Sequence, residues 1–250
     1  MKVALVTGGS RGLGKNMAVH LAQKGYHLIV TYKQSEAQAL ETVKEIEVLG
    51  RQATALQLDA SDPASLDAFA EKVSSSLRSC WQTEQLDLLV NNAGIGIHVS
   101  MADTTEAQFD ELMNIHVKTP FFLIQKLLAS LKDGGSIINI SSGLARFSLP
   151  GFGAYAMMKG AVEVMTRYLA AELGSRQITV NTIAPGAIET DFGGGLVRDN
   201  RDANALIASK TALGRAGKAD DIGAALANLV SDECKWLNGQ RIELSGGMFL

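Results

Sequence analysis

The chain has 250 residues, a formal net charge of −3 and a hydrophobic fraction of 46%, enough for one large α/β domain or two small ones with a sizeable core. Its slightly acidic balance offers no basic surface for nucleic acid or an anionic membrane, and no run of 18 apolar residues spans a bilayer. Met1-Lys2 runs straight into an apolar strand with no leader pattern. The two cysteines, Cys80 and Cys234, lack metal spacing and read as reduced thiols, so the expected setting is cytoplasmic and without a metal.

In chain order, residues 3–6 form a short apolar strand followed by Thr7-Gly8-Gly9-Ser10-Arg11-Gly12-Leu13-Gly14. A helix pattern over 15–24 ends at Gly25, and residues 27–32 read as a buried second strand. Ser35 with Gln38 has the spacing of a capping box for a helix that runs to Leu49 and stops at Gly50. Strand three covers 53–58 and ends at Asp59; Asp62 and Pro63 then start the third helix. Strand four is 86–90, followed by Asn91-Asn92-Ala93-Gly94. Thr105 and Gln108 cap a long helix predicted to reach about Lys132, with Pro120 inside it as a kink. Gly134-Gly135 is expected to turn the chain into strand five at 136–141, and a helix follows over 154–173. Strand six is 178–184, the glycine-rich segment 186–195 is a lid candidate, Asp220 is the expected cap of the last helix, and 241–244 is strand seven.

This alternation predicts an α/β fold: a Rossmann-type, doubly wound parallel sheet of seven strands in the order 3-2-1-4-5-6-7. With no linker, repeat or low-complexity run, residues 1–250 read as a single nucleotide-binding domain. The ligand crevice should lie at the carboxyl ends of the strands, near the switch between strands one and four. There the glycine turn presents free backbone N–H groups and a positive helix end, which suits a phosphate. Its spacing is T-G-x-x-x-G-x-G rather than the commoner G-x-G-x-x-G.

Tyr155 and Lys159, four residues apart on a helix, share a face, and Ser142 lies just beyond strand five on the same rim. A phenol titrates near ~10, and a neighbouring ammonium is expected to lower that value. A serine hydroxyl can hold a carbonyl oxygen as charge develops on it. The trio therefore suits proton transfer coupled to hydride transfer between a nicotinamide and a carbonyl or alcohol.

At these residues the sequence resembles the short-chain dehydrogenase/reductase family. The resemblance is carried by the glycine stretch 7–14, Asp59, Asn91-Asn92-Ala93-Gly94, Ser142, Tyr155-Ala156-Met157-Met158-Lys159, Pro185-Gly186-Ala187-Ile188-Glu189-Thr190 and Gly246-Gly247, in family order from end to end. The 3-oxoacyl-carrier-protein-reductase-like and glucose-dehydrogenase-like members look most similar. The resemblance implies that Tyr155 is the acid/base, that Lys159 lowers its pKa and binds the nicotinamide ribose, and that Ser142 polarises the carbonyl. It places Gly8, Ser10, Arg11, Gly12, Leu13 and Gly14 on the pyrophosphate, and Asn92, Ala93 and Gly94 on the adenosine ribose. Asn91 would brace strand four, Asp59 and Ala60 would flank the adenine, and Pro185, Gly186, Ile188 and Thr190 would hold the nicotinamide. It further implies a homotetramer. One position departs: the family's fourth catalytic residue is an asparagine, and its place here falls on His116, with Asn114 two residues too early. A neutral imidazole can donate and accept, so His116 is expected to serve when neutral, with activity falling as it charges.

The end of strand two, Thr31-Tyr32-Lys33, carries no carboxylate to bind a ribose 2′-OH. Lys33 beside Tyr32, and Arg11 in the loop, could instead bracket a 2′-phosphate, which selects NADP(H). The function read from the sequence is thus an NADP(H)-dependent oxidoreductase acting on a carbonyl or secondary alcohol, with a 3-oxoacyl thioester or another ketone as substrate. Substrate specificity should reside near 95–101, 144–152 and 192–207, where Phe147, Phe152 and Phe192 are apolar options and His98 and Arg146 polar ones, Arg146 facing either an anion or water. An NADP(H)-binding redox sensor or regulator without significant turnover remains as the alternative.

Overall fold

The computed structural model describes residues 1–250. Seven parallel strands form one sheet in the order β3-β2-β1-β4-β5-β6-β7: β1 (Lys2–Val6), β2 (Tyr26–Tyr32), β3 (Ala53–Gln57), β4 (Leu86–Asn91), β5 (Leu131–Ile140), β6 (Thr179–Pro185) and β7 (Arg241–Leu244). Nine α-helices accompany them: α1 (Gly12–Gln23), α2 (Glu36–Val48), α3 (Leu66–Trp81), α4 (Glu106–Met113), α5 (Thr119–Leu127), α6 (Gly153–Glu172), α7 (Leu196–Asp199), α8 (Arg201–Ser209) and α9 (Ala219–Leu229). The strand order is the one the alternation predicts.

Successive side chains of a strand point to opposite faces, so each central strand feeds two cores. Val3, Leu5 and Leu89 pack with Phe69, Val73 and Leu77 of α3 and Leu123, Ile124 and Leu127 of α5. Ala4, Val6, Leu88 and Val90 pack with Met17 and Leu21 of α1 and Ile222 and Leu226 of α9 on the other face. Burial on both faces explains why these strands read as continuous apolar runs. It also fixes their carboxyl ends, where the loops that carry the site begin.

Several local expectations need correction. The long helix does not run to Lys132. It is α4, one wider π turn over Asn114–Lys118, then α5, which ends at Leu127. Pro120 has no N–H to give the carbonyl four residues back, and the widened turn sits at that point. The chain leaves the helix early because Leu131 pairs with Leu86 in the sheet, making β5 longer at its start than expected. Gly134-Gly135 is therefore an irregularity inside β5 rather than a turn before it. Gly134 has φ +77, and a Cβ on Gly135 would sit 2.9 Å from the Asp87 carbonyl oxygen.

The Thr105 capping box forms, with Thr105 Oγ1 accepting from Gln108 N at 3.3 Å and Gln108 Oε1 accepting from Thr105 N at 3.0 Å. The Ser35 box does not: Ser35 has φ −90 and ψ 65, away from the extended backbone that aims a capping hydroxyl at the helix. Helix α9 is capped at Lys218, not Asp220, with Asp221 accepting the Lys218 N–H at 2.7 Å. Asp220 instead binds Asn16 and His20 of α1. Helix α1 begins at Gly12, three residues before the predicted start, so its N-terminus lies inside the glycine loop.

Candidate active site

The glycine loop is built by close approach. A Cβ on Gly14 would lie 2.1 Å from the Gly8 carbonyl oxygen, and one on Gly9 would lie 2.8 Å from Val30 Cβ. Gly8 and Gly12 take φ +66 and +55, which L side chains rarely adopt. The result is a tight turn opening directly into the N-terminus of α1, flanked by half-buried Ser10 and Leu13 and by exposed Arg11. A bare backbone cradle at a positive helix end fits the pyrophosphate of a dinucleotide.

Thr7 was visible only as part of the motif, yet it ties the cradle to the next strand. Its hydroxyl accepts from Asn92 N at 2.9 Å and Ala93 N at 3.0 Å. The Asn92 amide donates to the carbonyls of Thr7 at 2.8 Å and Gly8 at 3.3 Å, so this side chain shapes the loop. Asn91 donates to Asn139 Oδ1 at 2.9 Å and braces β4 against β5. Lys33, at the end of β2, forms an ion pair with Asp59 at 3.1 Å and donates to Ser61 Oγ at 3.0 Å, beside half-buried Tyr32. Lys33, expected to meet a 2′-phosphate, thus shares its charge with the carboxylate expected to flank the adenine. Thr119 Oγ1 at the start of α5 donates to the Ala60 carbonyl at 2.8 Å and fixes the Asp59–Ala60 corner.

Ser142, Tyr155, Lys159 and His116 meet at one rim. Tyr155 and Lys159 are buried on α6, and the Lys159 ammonium donates to the Ile140 carbonyl at the end of β5, at 2.7 Å. That ammonium lies 5.5 Å from the Tyr155 ring centre. Burial lowers Lys159 to about 7. Burial also pushes the Tyr155 phenol above its usual range, while the neighbouring Ser142 hydroxyl pulls it the other way. The expected lowering of the phenol by Lys159 is not found: burial raises it, only Ser142 opposes that rise, and the ammonium is aimed at a carbonyl.

His116 sits in the π turn, 2% exposed, its ring edge-on to Tyr155 with centres 5.2 Å apart. Its Nε2–H donates to the Ile95 carbonyl at 2.8 Å; the Ile95 N–H is 3.4 Å from the same nitrogen. The shorter contact assigns the proton to Nε2 and leaves Nδ1 as an acceptor, buried and without a protein partner. A small cavity lined by Asn91, Ala93, His116, Pro120, Asn139, Ile140 and Lys159 adjoins it, with room for about one water. Burial first, and the Lys159 charge second, lower His116 to about 3. Gly94 explains part of the fit: a Cβ there would be 2.7 Å from His116 Cε1.

Among the residues expected to hold the nicotinamide, Pro185 ends β6, and a Cβ on Gly186 would lie 2.9 Å from Ser245 Cα. Ile188 bridges to Gly217, and the buried Thr190 accepts from Phe192 N at 3.3 Å. One network escaped the sequence reading because its members are far apart in the chain. Glu163 of α6 accepts from Ser141 Oγ and from Arg241 Nε, both at 2.7 Å, and Glu243 accepts from Arg241 and Arg146. Arg146 is exposed, but its guanidinium is turned to Glu243 and to the backbone of Met248.

A family model described as enoyl-(acyl carrier protein) reductase matches residues 8–249. A 3-oxoacyl-(acyl-carrier-protein) reductase of Staphylococcus aureus is 36% identical over 100% of this chain and 98% of its own. A tetrahydroxynaphthalene reductase of Pestalotiopsis fici is 35% identical over 98% of this chain and 91% of its own. Among solved structures, a short chain dehydrogenase from Burkholderia cenocepacia in complex with NADP superposes with a TM-score of 0.90 at 37% identity, covering 98% of this chain and 97% of that one.

Proposed function

The chain belongs to the short-chain dehydrogenase/reductase family, and on that premise we propose that it reduces a ketone with NADPH, using Ser142, Tyr155 and Lys159. It is an NADP(H)-dependent oxidoreductase acting between C=O and CH–OH. The observation that carries the residue roles is the meeting of these three side chains on one rim, beside a glycine cradle shaped for a pyrophosphate.

When bound, NADPH supplies the hydride to the carbonyl carbon. Gly8, Ser10, Arg11, Gly12, Leu13 and Gly14 would hold its phosphates, Arg11 and Lys33 its 2′-phosphate, and Pro185, Gly186, Ile188 and Thr190 its nicotinamide. Tyr155 is protonated at neutral pH, and burial raises the phenol further, so it donates to the carbonyl oxygen as negative charge grows there. Ser142 donates a hydrogen bond to the same oxygen, and the Lys159 ammonium favours the phenolate left behind. His116 is a positioning residue: neutral, bonded to Ile95, and braced against the Tyr155 ring.

Residues 1–250 are read as one such domain, acting in the cytoplasm as a homotetramer. Apolar side chains left exposed on α5 and α6, among them Phe121, Phe122, Met157, Val164 and Tyr168, support a subunit interface there. No helix is long and apolar enough to cross a membrane. The relatives named above act on compounds as unlike as a carrier-bound 3-oxoacyl group and a tetrahydroxynaphthalene, so the cleft decides the substrate. The direct test is NADPH consumption with a panel of ketones. Turnover with at least one ketone is expected; tight NADPH binding without turnover on any would instead favour the sensor reading.

A further inference from the structure

We infer that the cleft selects a fused-ring aromatic ketone, held flat against the face of Phe192; this rests on the reductase reading above. The ring of Phe192 lies 6.0 Å from the Tyr155 ring, tilted by 53°. It reaches across to the opposite wall, where a Cβ on Gly96 would be only 2.8 Å from Phe192 Cε1. The absence of a side chain at position 96 is what lets the ring cross. Yet Phe192 remains 47% exposed, a large apolar face open beside the phenol.

Apolar side chains gather behind the phenol: Ile95, Ile97 and Leu144 pack against the buried cluster that holds Tyr155. Phe152 pairs with His98 at 4.8 Å, and Phe147 covers Gly143. An aromatic substrate offers its own quadrupole to such rings in tilted or offset geometry, which an aliphatic chain does not.

The charges point the same way. Arg146 and Arg198, in the segments expected to shape substrate specificity, are both committed to carboxylates. Arg146 donates to both oxygens of Glu243 at 2.7 Å. Arg198 donates to both oxygens of Asp199 at 2.7 Å and also binds Asp191. A phosphate or carboxylate seeking either guanidinium would have to compete with the carboxylates already bound there, whereas a neutral ring system makes no such demand.

The experiment compares α-tetralone with acetoacetyl-coenzyme A and ethyl acetoacetate as substrates of the full chain with NADPH. The unmodified protein should show kcat/KM for α-tetralone at least about tenfold above that for acetoacetyl-coenzyme A. Phe192→Ala should lower kcat/KM for α-tetralone about tenfold more than for ethyl acetoacetate, chiefly through KM, a factor that corresponds to about 1.4 kcal/mol of lost stacking. Phe192→Leu should fall between, and NADPH titration by fluorescence confirms that each variant is folded. A preference for acetoacetyl-coenzyme A, or an equal loss on both ketones in Phe192→Ala, would overturn the inference while leaving the reductase reading in place. No turnover on any of the three, with NADPH still bound, would strike the reductase reading itself.

Discussion

Replacing His116 with asparagine should flatten the acid sensitivity of the fold. In the native protein burial and the Lys159 charge hold His116 at about 3, whereas an unfolded histidine titrates near ~6.5. The sign follows from proton counting. As pH falls below the unfolded value, the unfolded chain takes up a proton that the native site refuses, so stability is present above that value and drains away toward about 3. Between pH 7 and pH 5 the linkage integral for one such histidine is about 2 kcal/mol. The groups facing the imidazole do not share that window. Lys159, lowered to about 7, is charged in both states over most of it, and the Tyr155 phenol is raised and stays protonated. Glu243 and Asp221, each lowered to about 2, give up their contributions only at more acid pH. His27 is also lowered, but it is common to both proteins and subtracts out. Urea unfolding of wild type and His116→Asn at pH 7, 6 and 5 therefore reads the difference directly. The wild type should lose about 2 kcal/mol more than the variant over that range. Parallel losses would refute the claim that His116 is held neutral by burial. The same shift moves the expected acid limb of activity out of the working range, so kcat/KM should not fall through His116 charging between pH 5 and 7.

Two further perturbations test the cofactor and assembly proposals. Removing both cations, as Arg11→Ala with Lys33→Ala, should erode a preference for NADPH over NADH by about tenfold or more, since each charge-assisted hydrogen bond to the phosphate contributes about 1.5–3 kcal/mol; a wild type that uses NADH as well as NADPH would remove the basis for the idea. Light scattering at micromolar concentration should give a mass near four chains, and Met157→Glu with Tyr168→Glu on the exposed face of α6 should lower it. A monomeric wild type would contradict the proposed interface.

Much of the architecture was legible because it is written in local patterns. Buried parallel strands such as β1 and β4 are unbroken apolar runs, and the turns between them carry glycine, proline or a capping pair. Several of the failures share one cause, competition from distant partners. Helix periodicity continues past Leu127, but Leu131 is taken by Leu86 of the sheet. Asp220 looks like a cap until Asn16 and His20 claim it. Helices α7 and α8 follow three glycines at positive φ and were hidden behind that run. At the site, the motifs name the glycine cradle and the Ser–Tyr–Lys set. Pairings such as His116 with Ile95, Lys33 with Asp59, and Arg146 with Glu243 join residues with no sequence rule between them. Desolvation is likewise invisible in a sequence, which is why the upward shift of Tyr155 and the extent of the downward shift of His116 emerge only from the fold.

The central claim, that a protonated Tyr155 delivers the proton in NADPH-dependent ketone reduction, is tested most directly by Tyr155→Phe. The substitution keeps the ring that packs against His116 and Phe192 and removes only the hydroxyl. Turnover of a ketone that the wild type reduces should fall by about 10²–10⁴-fold, with NADPH affinity retained. Near-wild-type turnover in a variant that still binds NADPH would contradict the account.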